Sequence, residues 1–240
     1  MKVIYTKNYE ELSKKACELV VEQINEKKNS VLGLATGSTP LGLYEELIKE
    51  HEKGLDFSEI VTYNLDEYIG LSKDNDQSYN YFMNEHLFKH VNINMNNINI
   101  PSGTNEPEEE IVDYENKLRK IGGVDLQILG LGSNGHIAFN EPSEELNAKT
   151  SIVNLTESTI KANSRFFEKE SDVPTKAISM GMGTIFTAKK IIILISGKNK
   201  EEATEYLLNS NKISTNWPVS LLQLHQDTTV IIDESSVEVK

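Results

Sequence analysis

The feature that most constrains the fold is the apolar run VDLQILGL, residues 124–131, together with the loop that follows it. A continuous apolar run of this length is typical of a strand buried on both faces of a parallel sheet. The loop GSNGHIAFNEP, residues 132–142, sets a histidine, a carboxylate and two amides close together. Ligands of open α/β sheets bind beyond the carboxyl ends of the strands, so His136 and Glu141 are candidates for chemistry.

Two other apolar runs also end on polar side chains. The run IVTYNLDEYIG, residues 60–70, carries Asp66 and Glu67, and the run VLGLATGSTP, residues 31–40, ends in small and hydroxyl residues that lead into a helix. A histidine alone in a glycine-containing loop is most simply an ordinary loop residue. Polar side chains at several strand ends of one sheet instead favour a shared site.

Strand and helix patterns alternate along the chain. The predicted strands cover residues 31–35, 60–65, 98–100, 124–131, 190–195 and 229–232. The first predicted helix follows Asn8, with Glu11 as its capping partner, and later helices cover residues 41–51, 78–90, 108–120 and 198–208. This order predicts an α/β fold of three layers, in which a Rossmann-like, largely parallel sheet carries helices on both faces. We expect a single domain over residues 1–240, with a lid at about residues 143–175.

Charge limits the possible partners. The 240-residue chain holds 24 basic and 37 acidic residues, a formal net charge of -13. Nucleic acids and anionic membranes bind to basic surfaces, so neither is an expected partner. An anionic substrate must be held by a local cluster of donors, because the overall field repels it.

Cysteine and hydropathy patterns exclude several classes of protein. Cys17 is the single cysteine, which rules out an intramolecular disulfide, and no Cys/His spacing indicates zinc or another metal. No apolar run reaches the roughly 18 residues of a membrane span, and the first residues lack the apolar core of a signal peptide. We expect a cytoplasmic protein in which Cys17 packs within a helix.

The loop ATGSTP, residues 35–40, has a physical reason to bind phosphate. Thr39 is predicted to cap the next helix and Pro40 to lie in its first turn, which leaves backbone N–H groups and hydroxyls at a positive helix end. The loop lacks the lysine and the spacing of a nucleotide P-loop, so ATP is not expected. By itself the pattern favours a plain strand-to-helix turn slightly over a phosphate site.

Five segments of the chain carry a family resemblance. They are LATGSTPLGLY, VTYNLDEYIGL, LGSNGHIAFNEP, ANSRFF and SGKNKEEA, spread from residue 31 to beyond residue 200. In sequence and order they resemble the glucosamine-6-phosphate deaminases, and the NEP after GHIAF separates that family from the related 6-phosphogluconolactonases. The resemblance implies isomerisation and deamination of glucosamine 6-phosphate to fructose 6-phosphate and ammonia, in amino-sugar catabolism and without a cofactor.

The resemblance also implies roles for individual residues. Asp66 is the implied base that takes the proton from C2 of the sugar, with Glu67 as its rival, and its pKa should lie above the ordinary value of about 3.9. Arg165 and Lys200 are implied to hold the phosphate, although by themselves they would be ordinary surface charges, and Lys198 is a neighbouring competitor. The implied substrate-binding set is Thr36, Gly37, Ser38, Thr39, Arg165 and Lys200.

His136 is the implied acid and base for ring opening, because imidazole exchanges protons near neutral pH. Glu141 is expected to orient this ring and to balance its charge. Asn134 departs from the aspartate that many of these deaminases carry at its position. An amide can orient His136 but cannot offset its positive charge. Glu141 is therefore expected to balance that charge.

Two other classes of protein remain open. One is a 6-phosphogluconolactonase or another sugar-phosphate isomerase of the same fold, which would share the phosphate loop but not the combination of Asp66 with NEP. The other is a non-catalytic sugar-phosphate sensor, as in regulators whose effector domains resemble this fold. Such a regulator would carry an N-terminal helix-turn-helix, whereas this chain reaches its first predicted helix almost at once.

Assembly is a further point on which the resemblance bears. In the hexameric, allosteric branch of the deaminases, basic residues shortly after the NEP segment hold an activator phosphate. Here the corresponding stretch KTSIVNL, residues 149–155, has Ser151 and Val153 where those cations would be expected. We expect a monomer, or a small homo-oligomer, without activation by N-acetylglucosamine 6-phosphate.

Overall fold

The centre of the molecule is a parallel β-sheet. The computed structural model describes residues 1–164, 167, 169, 172–235 and 237. Within these residues the strands are β1 Lys2–Thr6, β2 Val31–Leu34, β3 Val61–Asn64, β4 Asp66–Tyr68, β5 Ile98–Asn99, β6 Leu126–Gly130, β7 Ser151–Asn154, β8 Lys176–Ser179, β9 Lys190–Ile195 and β10 Thr228–Asp233. Seven of them form the central sheet in the order β1-β10-β9-β6-β2-β3-β5, and each neighbouring pair is parallel.

Helices cover both faces of this sheet. In the described part of the chain they are α1 Tyr9–Glu26, α2 Leu41–Glu52, α3 Tyr79–His86, α4 Pro107–Lys120, α5 Glu157–Asn163, α6 Met182–Ile185 and α7 Glu201–Asn209. Strand β9 shows how the layers form: Ile192 and Leu194 pack in the core with α1 and α2, whereas Ile193 packs in the core with α4 and α7. The prediction of a three-layer, largely parallel α/β fold is confirmed.

The first helix begins as its sequence predicts. The side chain of Asn8 accepts a hydrogen bond from the backbone N–H of Glu11 at 2.9 Å, and the Glu11 carboxylate accepts one from the backbone N–H of Lys7 at 3.1 Å. Apolar residues at every fourth position then face the sheet, and Cys17 is buried among them. None of the helices in the described residues is long and apolar enough to cross a membrane.

A second, smaller sheet was not predicted. It has the order β4-β8-β7 and is antiparallel. Leu65 joins the two sheets: its backbone N–H donates to Leu34 of the central sheet at 3.3 Å, and its carbonyl accepts from Met180 at 2.8 Å. The next residue, Asp66, begins β4. The chain therefore turns out of the central sheet directly before Asp66, at the carboxyl end of β3.

Candidate active site

A cavity of about 390 Å³ lies at the carboxyl ends of β2, β3 and β6. The loops after these three strands form most of its wall, as expected for an open parallel sheet. The residues of the predicted site that line it are Thr36, Gly37, Ser38, Thr39, Asp66, Asn134, His136 and Lys200. Glu141 lies behind His136, and Arg165 lies outside the described residues.

Asp66 is a buried carboxyl group in the wall of this cavity. The residue is 6 % exposed, and its apolar neighbours in the wall include Leu65 and Phe139. Burial, and secondly the negative charge of Glu67, raise the pKa of Asp66 to about 8. A carboxyl group in this state can exchange a proton near neutral pH.

Glu67, the rival candidate, has a different environment. Its Oε1 accepts hydrogen bonds from the backbone N–H groups of Tyr68 at 2.8 Å and Tyr79 at 3.0 Å, and its Oε2 accepts one from Asn80 at 2.9 Å. Burial raises the pKa of Glu67, and these three hydrogen bonds oppose the increase. The Glu67 carboxylate thus accepts hydrogen bonds from backbone N–H groups of β4 and of the start of α3. Glu67 is not among the residues that line the cavity.

His136 is paired with a carboxylate on the side away from the cavity. Its Nδ1 lies 3.3 Å from Oε2 of Glu141, a charge contact rather than an aligned hydrogen bond. Nδ2 of Asn134 donates to the same Oε2 at 2.7 Å, and the hydroxyl of Thr159 donates to Oε1. Burial alone would raise the pKa of Glu141, but the contacts with His136, Thr159 and Asn134 outweigh burial and lower it to about 2. Glu141 is therefore a stable negative charge beside the imidazole.

The glycines of this loop allow the histidine ring to lie close to the backbone. A Cβ atom at Gly132 would come within 2.4 Å of three ring atoms of His136. Gly135 has a φ of +84°, and a Cβ there would lie 2.8 Å from the ring of Trp217. Asn134, between them, accepts a hydrogen bond from the backbone N–H of His136 at 3.2 Å through Oδ1. The two glycines therefore leave room for the His136 ring, and the hydrogen bond to Asn134 helps to fix its position.

The prediction that Thr39 caps the next helix is wrong. The helix α2 begins at Leu41, and Pro40 is its N-cap without a side-chain hydrogen bond. The hydroxyl of Tyr9, from α1, accepts a hydrogen bond from the backbone N–H of Gly42 at 2.8 Å and lies 3.0 Å from the carbonyl oxygen of Thr39. A tyrosine about thirty residues away in sequence therefore replaces the local cap, and Thr39 lies in the cavity wall.

Lys200 lines the cavity near the loop of residues 36–39, because Lys200, Ser38 and Thr39 also line a neighbouring cavity together. It ends the short 3₁₀ turn Lys198–Lys200 that precedes α7, and Asn199 lines the cavity beside it. Lys198, the competing lysine, is not among the lining residues. A cation and the loop of residues 36–39 thus face one space, which is the arrangement that a phosphate group requires in an acidic protein.

The lining residues that the predicted site did not include are, among others, Tyr79, Thr159 and Asn199. The ring of Tyr79 stacks on Phe139 with an interplanar angle of 14°, and its hydroxyl donates to the hydroxyl of Tyr68 at 3.3 Å. No local pattern could have revealed the contact with Phe139, because the two residues are sixty positions apart in the sequence. Among the described residues, no group of three or more His, Cys, Asp or Glu side chains is placed to hold a metal ion.

Comparison with known proteins decides between the families that share this fold. The family model described as glucosamine-6-phosphate isomerases/6-phosphogluconolactonase matches residues 7–231. The chain belongs to this isomerase/lactonase family. Within the family it is similar to the glucosamine-6-phosphate deaminase of Thermoanaerobacter sp. (strain X514), with 56% identity over 238 residues, which cover 98% of this chain and 94% of that protein. The resemblance to the deaminases is confirmed.

Solved structures of family members place the chain in the same branch. A monomeric glucosamine-6-phosphate deaminase superposes with a TM-score of 0.94 at 45% identity, covering 97% of both chains. A 6-phosphogluconolactonase from Leishmania guyanensis superposes with a TM-score of 0.76 at 22% identity, covering 97% of this chain and 96% of that one. The second likeness shows the family fold alone.

Proposed function

We propose that this chain converts glucosamine 6-phosphate and water into fructose 6-phosphate and ammonia, with Asp66 and His136 as its proton-transfer groups. The observation that carries the assignment of residues is that the buried carboxyl of Asp66 and His136, which is backed by Glu141, line one cavity with the loop of residues 36–39 and Lys200. The similarity to deaminases over nearly the whole chain supports the reaction.

Ring opening is the first chemical requirement. Glucosamine 6-phosphate is a closed pyranose, so the C1 hydroxyl must lose a proton while the ring oxygen gains one, which leaves C1 as an aldehyde. His136 carries this proton transfer, because its ring lies in the cavity wall and its other side faces Glu141. The negative charge of Glu141 stabilises the imidazolium that forms after each proton uptake.

Isomerisation then requires a base at C2. In its ionised form Asp66 takes the C2 proton. The electrons of that C–H bond form a double bond between C1 and C2, while the π electrons of the C1 carbonyl move to O1, which gains a proton, so that an enolamine results. Return of a proton to C1 gives an iminium at C2; water adds to that carbon and ammonia leaves, which yields the ketone. A rigidly held, buried carboxylate suits the base role because its pKa of about 8 lies near the working pH.

Phosphate recognition is assigned to Lys200 in the cavity wall and, as the family resemblance implies, to Arg165. A charged hydrogen bond from either side chain would contribute on the order of 1.5 to 3 kcal/mol, whereas a helix end contributes about 0.3 to 2 kcal/mol. The side chains therefore dominate affinity over the loop of residues 36–39. This local cluster offsets the repulsion from a chain whose net charge is -13.

A lid and a monomeric state complete the proposal. Residues 143–175 include β7 and α5, and Thr159 of α5 both lines the cavity and donates a hydrogen bond to Glu141. Closure of this segment over the substrate would exclude water from Asp66. The similar solved deaminase is a monomer, and we assign that state to this chain, acting on a sugar phosphate in the cytoplasm.

The test is a direct comparison of two substrates. Purified protein incubated with glucosamine 6-phosphate should release ammonia and fructose 6-phosphate in equal amounts, and 6-phosphogluconolactone in a parallel reaction should be hydrolysed no faster than without protein. Hydrolysis of the lactone without release of ammonia would assign the chain to the lactonases. Tight binding of glucosamine 6-phosphate without either reaction would favour a sensor.

A further inference from the structure

Asp66 and Glu67 are adjacent buried carboxyl groups with separate tasks. Successive residues of a strand point to opposite faces, so only one of the two can lie in the cavity wall. Glu67 is 2 % exposed and accepts three backbone N–H groups, those of Tyr68, Tyr79 and Asn80. These three donors favour the ionised form of Glu67 against the rise in pKa that burial causes, and they direct its oxygens at the backbone rather than at the cavity.

The contacts of Glu67 also fix the first turn of α3. Tyr79 and Asn80 are the first two residues of this helix, and the N-cap Ser78 accepts from the backbone N–H of Tyr81 at 3.0 Å. Glu67 therefore binds N–H groups that have no partner within the helix, at the end where a negative charge is most stabilising. The position of the Tyr79 ring in the cavity wall depends on this attachment.

We propose that Glu67 is a positioning residue of the reaction. It holds α3 and Tyr79 against the cavity, and its buried negative charge opposes ionisation of Asp66. This inference rests on the proposed role of Asp66 as the base. Glu67 itself does not contact the substrate.

The titratable and charged groups around Asp66 come from five segments of the chain. They are Glu67 of β4, Tyr79 of α3, Tyr114 of α4, and, in the wall of the same cavity, His136 of the loop after β6 and Lys200 of the turn before α7. Burial raises the pKa of both phenols, so Tyr79 and Tyr114 stay neutral at the working pH. Glu67 is the member of this set whose negative charge opposes ionisation of Asp66.

The main test is the pH profile of Glu67→Gln. The amide keeps the size of the side chain and an acceptor for Tyr68 and Tyr79, but it removes the charge. The acid limb of kcat/KM, which reports ionisation of Asp66 in the free enzyme, should move to lower pH by on the order of one unit. An acid limb at the wild-type pH would overturn the proposal.

Glu110→Gln is the matched control. Glu110 is also buried and also accepts a backbone N–H, that of Ser102 at 3.0 Å, but it is not a neighbour of Asp66 in the strand. The control should lose stability comparably and keep the wild-type acid limb. An equal shift in both variants would show that the change comes from general loosening of the fold and would also overturn the proposal.

A second measurement covers the case in which Glu67→Gln does not fold. Ionisation of Asp66 changes the electric field at the neighbouring Glu67 carboxylate. The side-chain carboxyl carbon of Glu67, followed by NMR against pH, should therefore show a second inflection in wild type as Asp66 ionises, and this inflection should be absent in Asp66→Asn. A wild-type curve without the second inflection, or an inflection that persists in Asp66→Asn, would contradict the coupling. Because this readout needs no turnover, it stays informative if the proposed reaction itself fails.

Discussion

Oε2 of Glu141 lies 3.3 Å from Nδ1 of His136 and also accepts a hydrogen bond from Asn134. A positive charge on His136 would therefore lie beside the Glu141 carboxylate, to which the amide of Asn134 is hydrogen-bonded. This relationship makes the roles of the two residues separable by mutation.

Glu141→Gln should lower kcat by about 10-fold to 10²-fold, on the scale of one lost contact with a charged group. The loss should fall on opening of the closed pyranose ring, the step proposed for His136 with Glu141 beside it. Steady-state kinetics of the variant test this, with Glu145→Gln as the control, since Glu145 is an exposed carboxylate of the same segment. Equal kcat in wild type and Glu141→Gln would remove Glu141 from the mechanism.

Lys200→Ala should raise KM for glucosamine 6-phosphate by on the order of 10-fold to 10²-fold, which corresponds to about 1.5 to 3 kcal/mol. Lys198→Ala is the matched control, because Lys198 lies in the same 3₁₀ turn and does not line the cavity. Glucosamine without phosphate should bind equally weakly to both variants and to wild type. A larger effect from Lys198 than from Lys200 would reverse the assignment of the two lysines.

The two active-site carboxylates should affect stability in opposite pH ranges. The pKa of Glu141 is lowered to about 2, so its contribution is present above the ordinary value of 4.5 and is lost as pH falls towards 2. The pKa of Asp66 is raised to about 8, so its contribution is present below 3.8 and is lost as pH rises through 8. Asp66→Asn should therefore be more stable than wild type above pH 8, by at least about 1 kcal/mol or roughly 2–4 °C in Tm.

Thermal unfolding of wild type and Asp66→Asn at pH 5 and pH 9 is the corresponding measurement. The difference in Tm should be larger at pH 9 than at pH 5. A difference that is equal at both pH values would show that Asp66 does not titrate between them in the folded protein.

Much of the fold follows from local sequence patterns. Strands β6 and β9 are continuous apolar runs that end in glycine or serine, and such runs predict buried parallel strands without further information. Strand β1 is not predicted from the sequence. It lies at the edge of the sheet, where Tyr5 is 51 % exposed, so it lacks the continuous apolar run of a buried strand. Strand β4 has three residues, and its partner β8 is more than a hundred residues away, so no local signal marks the pair.

In the site, too, some features follow from a local sequence pattern and others depend on residues far away in the sequence. Asp66 and His136 can be predicted, because strand ends and glycine loops are visible in the sequence. The cap of α2 cannot, because Tyr9 supplies it from another helix in place of Thr39. The division of tasks between Asp66 and Glu67 likewise depends on where α3 packs, which adjacent carboxylates in a sequence do not reveal.

Substrate saturation should be hyperbolic, without activation by N-acetylglucosamine 6-phosphate. The family resemblance puts Ser151 and Val153, both in β7, at the positions of the activator cations, so we expect no activator site there and no coupling free energy between two sites. Light scattering should give the mass of one 27.0 kDa chain. Sigmoidal velocity curves that N-acetylglucosamine 6-phosphate converts to hyperbolic ones would contradict this prediction.

The most direct test of the central claim is the fate of the C2 proton of glucosamine 6-phosphate in wild type and in Asp66→Asn. In D₂O, proton NMR should show loss of the C2 hydrogen as wild type turns the substrate over. Asp66→Asn should still fold and bind the sugar phosphate, while loss of the C2 hydrogen slows at least about 10² to 10⁴-fold, as for a missing general base. Loss of that hydrogen at the wild-type rate in Asp66→Asn would contradict the account and leave the base to be found elsewhere.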